Sequence, residues 1–155
     1  MRIGYGYDVH QLVKRRNLFL GGVLIPYKKG LLGHSDADVL VHAVCDAILG
    51  AAALGDIGMH FPDTDHSFKN IKSLVLLKKS CEMVKDSGFS IYNIDSTIIA
   101  QAPKLFSYRN KMRENLALCT GMDLKDVNIK FTTADSLGFI GKGKGIAAAC
   151  VVLIG

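Results

Sequence analysis

The sequence contains no tryptophan, and its 155 residues include only three prolines. Aromatic side chains make up 8% of the chain while 49% of the residues are hydrophobic, so the predicted core is mainly aliphatic. No stretch of about 18 residues is apolar and uncharged, which argues against a transmembrane helix. The start of the chain has no apolar segment behind Arg2, which argues against a signal peptide. The expectation is one domain over residues 1–155, located in the cytoplasm, with no membrane partner.

The four cysteines form no Cys-x-x-Cys motif. Cys45, Cys81, Cys119 and Cys150 each lie in an apolar or helical segment, which is more typical of buried free thiols than of disulfides or metal ligands. The formal net charge of +5 favours anionic partners such as phosphates. Because basic residues are not clustered beyond the short run 14–16, no nucleic-acid partner is expected.

Hydrophobic periodicity and the placement of glycines predict an α+β fold, with a mixed sheet and helices packed on one face. Strands are predicted over residues 2–12, 89–101, 127–134 and 145–154, and a hairpin over 18–27 around Gly21 and Gly22. Helices are predicted over residues 35–55, 69–88 and 107–121. Ser35 followed by Asp38 predicts a capping box at the first helix. Residues 28–35 and 56–68 are predicted loops, and a loop as long as the second is often functional.

Near the start of the chain, the stretch GYGYDVHQL places Asp8 and His10 two positions apart on a predicted strand. Side chains alternate along a strand, so these two point to the same face. In the first predicted helix, Asp38, His42 and Asp46 recur every four residues and follow one line. This line is either an exposed polar stripe or a set facing the strand. In the second case His42 joins Asp8 and His10, and Asp46 orients the imidazole of His42.

Two histidines and one aspartate with a fourth position open are typical of a catalytic zinc site. Other polar segments would suit a phosphorylated polyol. They are His34 and Ser35 before the first helix, Asp56, Asp63 and Asp65 in the long loop, residues 132–135 at a strand end, and residues 141–145. Each has a simpler explanation as a cap or turn former, so none of these segments indicates a function alone.

Five segments, taken in order, resemble the 2-C-methyl-D-erythritol 2,4-cyclodiphosphate synthase family of the non-mevalonate isoprenoid pathway. They are RIGYGYDVH, GGVLIPYKKGLLGHSDADVLVHA, DAILGAAALGDIGMHFPDTD, STIIAQAPKL and NIKFTTADSLGFIGKGKGIA, and they extend along nearly the whole chain. The resemblance implies a phosphorus–oxygen lyase. Its metal-dependent reaction cyclises 4-diphosphocytidyl-2-C-methyl-D-erythritol 2-phosphate and releases CMP. It also implies a homotrimer with active sites between subunits.

The resemblance further implies the roles of individual residues. Asp8, His10 and His42 match the zinc ligands, and a second divalent ion, Mg²⁺ or Mn²⁺, is expected on the substrate diphosphate near Asp135. His34 and Thr133 match positions that stabilise the reacting phosphates. The substrate-binding positions implied in the same way are Asp8, His10, His34, Ser35, Asp56, Ile57, Gly58, Phe61, Pro62, Asp63, Thr64, Asp65, Ala100, Gln101, Ala102, Pro103, Lys104, Leu105, Phe106, Thr132, Thr133, Ala134, Asp135, Phe139 and Lys142.

Three residues depart from the family pattern. Asp135 stands where the family often has glutamate, and its shorter side chain would reach the second ion through water. Lys142 stands where arginine is common, so a single ammonium charge replaces a planar guanidinium group that can form two parallel hydrogen bonds. Lys144 replaces an acidic residue, which removes any ion pair that the acidic residue would make.

Three other functions remain open for the same residues. A zinc-dependent phosphohydrolase would need a positioned general base, which the sequence does not identify. A structural zinc site would need a fourth ligand. A regulatory module that binds a nucleotide or a metal would need no catalysis at all. The complete Asp–His–His set, together with the resemblance, favours the cyclase.

Overall fold

Seven strands form a mixed five-stranded sheet and a separate hairpin in the computed structural model, which describes residues 1–155. The strands are β1 (Arg2–Val13), β2 (Leu18–Leu20), β3 (Val23–Ile25), β4 (Gly30–Leu31), β5 (Ile91–Ile99), β6 (Val127–Thr132) and β7 (Gly145–Ile154). The sheet order is β4-β1-β7-β5-β6, and β2 pairs with β3. Only β5 and β6 run parallel to each other. The mixed sheet and the hairpin confirm the predicted fold class.

Three long helices and two short ones accompany the sheet. They are α1 (Val39–Ala51), α2 (Ile57–His60), α3 (Ser73–Asp86), α4 (Arg109–Thr120) and α5 (Gly138–Gly141). Helix α1 lies on β1 and β7, α3 packs on α1, and α4 contacts both α3 and β6. Gly88 and Gly121, at which the second and third predicted helices end, adopt positive φ angles just after α3 and α4. None of the helices combines the length and the apolar composition needed to cross a membrane.

The core between the helices and the sheet is aliphatic, as the composition predicts, and Phe61 is the only buried aromatic residue in it. All four cysteines are free thiols. Cys45 and Cys150 are buried as expected, whereas Cys81 and Cys119 are only partly buried. The opposite face of β1 and β7 is largely uncovered and exposes apolar side chains, including Tyr5, Tyr7 and Val151.

Strand β1 approaches α1 without side chains between the two backbones. A Cβ atom on Gly4 would lie 1.9 Å from the carbonyl oxygen of Ala47, and one on Gly6 would lie 2.0 Å from that of Ala43. Because side chains alternate, the row that starts with these glycines continues with Asp8 and His10 toward the N-terminal half of α1. The close approach therefore places both site residues against the start of the helix.

The predicted capping box at the first helix is wrong. Helix α1 begins at Val39, and its N-cap is Asp38, whose carboxylate accepts a hydrogen bond from the backbone N–H of Val41 at 3.2 Å. Ser35 and Asp36 lie outside the helix, because Ala37 adopts a φ angle of +57° that interrupts helical geometry. The N-cap is therefore three residues later than the sequence pattern indicates.

The same Asp38 carboxylate, which is fully buried, also ties the hairpin to α1. It accepts hydrogen bonds from the backbone N–H groups of Gly21 at 2.9 Å and Gly22 at 2.6 Å. Burial raises the pKa of Asp38, although these backbone donors oppose the shift. Three main-chain donors thus depend on one side chain.

Replacing Asp38 with alanine is expected to destabilise the protein by about 3 kcal/mol or more, because each buried donor left without an acceptor costs about 1–3 kcal/mol. The measurement is the free energy of unfolding in urea. Asp123→Ala serves as the control, because the Asp123 side chain is 77% exposed in a surface ion pair with Lys125. Equal unfolding midpoints for Asp38→Ala and the wild-type protein would show that the buried cap is dispensable.

Two predicted loops contain short regular elements. Residues 28–35 include β4, which is too short for a hydrophobic pattern to reveal and pairs with the end of β1. Residues 56–68 include α2 and a 3₁₀ turn, His66–Phe68. Asp56 caps α2 by accepting from the N–H of Met59, and Asp65 caps the 3₁₀ turn by accepting from that of Ser67, both at 2.8 Å. These two aspartates have the capping role that was the alternative to substrate binding.

Candidate active site

Asp8, His10 and His42 converge where β1 meets the start of α1. Asp8 Oδ2 lies 2.8 Å from His10 Nε2 and 3.0 Å from His42 Nδ1, and the two ring nitrogens are 3.2 Å apart. Ligand atoms bound to one tetrahedral zinc ion would be about 3.3 Å apart, given zinc–ligand distances of about 2.0–2.1 Å. The three side chains therefore fit a single metal ion.

The charges of this triad also suit a cation. Burial alone would raise the pKa of Asp8, but hydrogen bonds to the two imidazoles outweigh it and hold the pKa below its usual range. Burial alone would lower the pKa of His10, but the hydrogen bond and charge of Asp8 outweigh it and raise the pKa. Asp8 is therefore ionised at neutral pH, and its negative charge would attract a metal cation.

The predicted role of Asp46 is wrong. Its carboxylate accepts a hydrogen bond from the backbone N–H of Ile57 at 2.8 Å, and so it holds the start of α2 instead of the His42 ring. The second ring nitrogen of His42, Nε2, lies 2.9 Å from Ser73 Oγ and 3.2 Å from Ser35 Oγ. The exposed-stripe alternative is also wrong, because the side chain of His42 is only 13% exposed and Asp38 is buried.

The triad opens into a cavity of about 360 Å³. The cavity contains ten residues predicted to bind substrate or metal, namely Asp8, His10, His34, Ser35, His42, Ile57, Gly58, Phe61, Pro62 and Asp63. It also contains Gly33, Asp46, Phe68, Ile71 and Leu76, which no sequence motif indicated as substrate contacts. Asp56, Thr64 and Asp65 belong to the same segment of chain but do not line the cavity.

A second cavity, of about 260 Å³, contains much of the remaining predicted site. Its lining includes Ala100, Gln101, Pro103, Lys104, Leu105, Thr132 and Thr133, together with Ile98 and Phe131. The predicted residues outside both cavities are Ala102, Phe106, Ala134, Asp135, Phe139 and Lys142, besides Asp56, Thr64 and Asp65. The two cavities share no lining residue, so one chain carries the predicted site in two separate parts.

Hydrogen bonds fix the turn that follows β6. Thr133 Oγ1 lies 3.2 Å from Asp135 Oδ1 and accepts from the backbone N–H of Asp135 at 3.3 Å. The backbone N–H of Ser136 donates to Gln101 Oε1 at 3.2 Å, which links the turn to the second cavity. The hydroxyl and carboxylate predicted to contact phosphates and the second ion therefore lie side by side.

The chain matches the YgbB family over residues 1–155. The chain belongs to the YgbB family. Similar curated proteins are named 2-C-methyl-D-erythritol 2,4-cyclodiphosphate synthase. The protein from Alkaliphilus oremlandii is 58% identical over 154 residues, covering 99% of this chain and 98% of its own. The one from Desulfatibacillum aliphaticivorans is 56% identical over 154 residues, covering 99% of both chains. These relatives confirm the synthase family, and the enzyme class, that the sequence motifs indicate.

Solved structures of the same family share the fold of this YgbB chain. The bifunctional IspDF from Campylobacter jejuni aligns with a TM-score of 0.95 at 46% identity, covering 99% of this chain, which spans 42% of that protein. A 2C-methyl-D-erythritol-2,4-cyclodiphosphate synthase in a CDP-bound form aligns with a TM-score of 0.91 at 35% identity, covering 99% of this chain and 100% of that one. IspF from Plasmodium falciparum, in a CDP complex, aligns with a TM-score of 0.86 at 33% identity, covering 99% of this chain and 94% of that one.

Proposed function

We propose that this chain converts 4-diphosphocytidyl-2-C-methyl-D-erythritol 2-phosphate to 2-C-methyl-D-erythritol 2,4-cyclodiphosphate and CMP. The observation that carries the proposal is the Asp8–His10–His42 triad, opening into a cavity, in a chain that matches named synthases over its full length. In the reaction an oxygen of the 2-phosphate bonds to the β-phosphorus. The bond from that phosphorus to the bridging oxygen breaks, and CMP leaves with the electron pair. A cytoplasmic location stays a prediction from the sequence.

The residues present fit a zinc ion at the triad. A zinc ion held by these ligands, with Mg²⁺ or Mn²⁺ near Asp135, would supply Lewis acidity and charge neutralisation to the diphosphate. The attacking phosphate monoester needs no general base, because its second pKa is about 6 and it is largely dianionic at neutral pH. The cyclisation therefore does not need the general base that a phosphohydrolase would need and that the sequence does not identify.

The protein's own contribution is therefore positioning. The attacking 2-phosphate and the β-phosphorus belong to one molecule. The cavity therefore has only to hold the substrate in a conformation that aligns the two groups, and no encounter between two molecules in solution is needed. His34 lines the triad cavity, and its Nε2 lies 3.2 Å from the carbonyl oxygen of Asp65, a contact that orients the ring. We assign His34 and Thr133 to the reacting phosphates, with Ile57 and Phe61 giving the cavity an apolar wall that excludes water.

The cytidine part of the substrate is assigned to the second cavity, and the complete site to a homotrimer. Two observations support this assignment. The two cavities are separate within one chain, although one substrate would have to contact both. The uncovered face of the sheet also exposes apolar side chains, including Ile3, which is 74% exposed, and Tyr5, which is 63% exposed. Packing of copies through this face would let one chain's second cavity complete the triad cavity of its neighbour.

A double substitution of Tyr5 and Val151 by glutamate is expected to give a monomer with at least about 100-fold lower turnover, because substrate positioning from the neighbouring chain is lost. The two residues are directly opposite each other on β1 and β7, so the change puts two charges at one point of the face. Sedimentation velocity and the rate of CMP release are the measurements. Leu118→Glu, at an 84% exposed position on α4, is the control. Full turnover in a verified monomer would contradict the shared site.

The reaction itself is tested by phosphorus NMR of the protein with Zn²⁺, Mg²⁺ and the cytidine-diphosphate substrate. A cyclic diphosphate that forms in step with CMP supports the proposal. An acyclic methylerythritol diphosphate with CMP would identify water as the nucleophile and favour the hydrolase. No conversion by trimeric, zinc-loaded protein would favour the regulatory module, in which the triad only senses metal.

A further inference from the structure

The buried hydroxyl of Ser73 connects His42 to a carboxylate on another segment. Ser73 is the first residue of α3 and is fully buried. Its Oγ lies 2.9 Å from His42 Nε2 and donates a hydrogen bond to Asp36 Oδ1. The backbone N–H of Ser73 donates to the other carboxylate oxygen of Asp36 at 3.1 Å. Asp36 therefore holds both the main chain and the side chain of Ser73.

The hydrogen bonds that run from His42 through Ser73 to Asp36 can be assigned donors and acceptors in only one direction. An Asp carboxylate only accepts hydrogen bonds, so the single proton of the Ser73 hydroxyl is donated to Asp36. Ser73 Oγ can then offer only lone pairs to His42, and His42 Nε2 must be the donor. A neutral imidazole that carries its proton on Nε2 has its lone pair on Nδ1. Nδ1 is the atom of His42 that faces Asp8 and His10.

The ring orientation of His10 is fixed in the same way, but by a main-chain carbonyl group instead of a side chain. Its Nδ1 lies 2.7 Å from the carbonyl oxygen of Leu32, which can only accept, so Nδ1 is a donor and Nε2 is the nitrogen left to bind a metal ion. Ser35 gives no such direction to His42. Its Oγ lies 3.2 Å from His42 Nε2 and 3.3 Å from Ser73 Oγ, and it accepts from the backbone N–H of Ala37, but no hydrogen bond commits its own proton to a carboxylate. Only the orientation of His42 therefore depends on side chains that mutation can remove.

We propose that Asp36 and Ser73 are positioning residues that fix the tautomer and ring orientation of His42, and so set the affinity of the triad for its metal ion. The inference rests on the function proposed above, because it needs a metal at the triad. Hydrogen-bonding partners behind a histidine ligand change metal affinity by about 10–100-fold when they are removed. Neither residue bears any feature in the sequence that marks a metal site.

The test compares Ser73→Ala with Ser80→Ala. Ser80 lies in the same helix and is equally buried, but its hydroxyl donates to the carbonyl oxygen of Leu76 and does not contact the triad. Zinc affinity of the metal-free protein is measured by competition with a chromophoric chelator, and the visible spectrum of the Co²⁺ form reports ligand geometry. Ser73→Ala is expected to bind zinc about 10–100-fold more weakly, with an altered Co²⁺ spectrum, while Ser80→Ala keeps both.

Two further variants distinguish a positioning role of Asp36 and Ser73 from simple misfolding. Ser73→Thr keeps the hydroxyl and is expected to restore most of the affinity. Asp36→Asn keeps the shape but can donate to Ser73, which frees the serine proton to point at His42, so weaker zinc binding is expected. The positioning role would be overturned if Ser73→Ala and Asp36→Asn had the same zinc affinities and Co²⁺ spectra as the wild type. That result would leave the proposed function standing. A wild-type protein that binds neither zinc nor cobalt would overturn both.

Discussion

Replacing His42 with alanine is expected to lower CMP release about 1,000-fold or more and to leave the purified protein depleted of zinc. The substitution removes one of three ligands, and Asp8 with His10 alone cannot complete a catalytic zinc site. Lewis-acid stabilisation of the transition state is worth several kcal/mol, and each 1.36 kcal/mol corresponds to a factor of about ten in rate. The measurements are steady-state CMP release and metal content by mass spectrometry.

His66→Ala is the matched control for this experiment. His66 is exposed in the 3₁₀ turn beside the cavity and does not line it. The control should keep both its zinc and its turnover, and circular dichroism should show both variants folded. A zinc-depleted His42→Ala protein that still cyclises its substrate at the wild-type rate would rule out metal assistance at the triad.

The strand half of the triad follows directly from the sequence. Asp8 and His10 are two positions apart, and strand geometry puts them on one face whatever the rest of the chain does. The helix half does not follow in the same way. Asp38, His42 and Asp46 have identical spacing, yet Asp38 holds the hairpin, Asp46 holds α2, and only His42 reaches β1. Spacing predicts a shared helix face, but the partner of each residue depends on what packs at that level of the helix.

The part of the site that the sequence does not predict is held by long-range contacts. Ser73 stands at the start of a helix, where a serine is ordinarily interpreted as a cap. The N-cap of α3 is instead Lys72, with no side-chain hydrogen bond, and the helix start is held by Asp36 from 37 residues earlier in the chain. A local pattern cannot contain such a contact. The division of the predicted site into two cavities is likewise a property of the folded chain that no motif expresses.

Gly6→Ala is expected to destabilise the protein by about 3 kcal/mol or more. The added Cβ would lie 2.0 Å from the carbonyl oxygen of Ala43 and 2.7 Å from the backbone nitrogen of Ala47. Both contacts are with main-chain atoms of α1, so no side-chain rotation can relieve them and strand and helix must separate. Because Asp8 follows on the same face of β1, that separation would also spread the triad. Urea unfolding and zinc affinity should therefore both report the change.

Gly50→Ala is the matched control, because it makes the same chemical change in the helix that Gly6 faces. A Cβ on Gly50 would meet no atom within 4 Å, and the residue is an exposed part of α1. Alanine is favoured over glycine inside a helix by about 1 kcal/mol, so this variant is expected to be more stable than the wild type. The two variants should shift the unfolding midpoint in opposite directions. Equal midpoints for Gly6→Ala and the wild type would show that β1 and α1 can part without cost, and that their close approach does not hold the triad together.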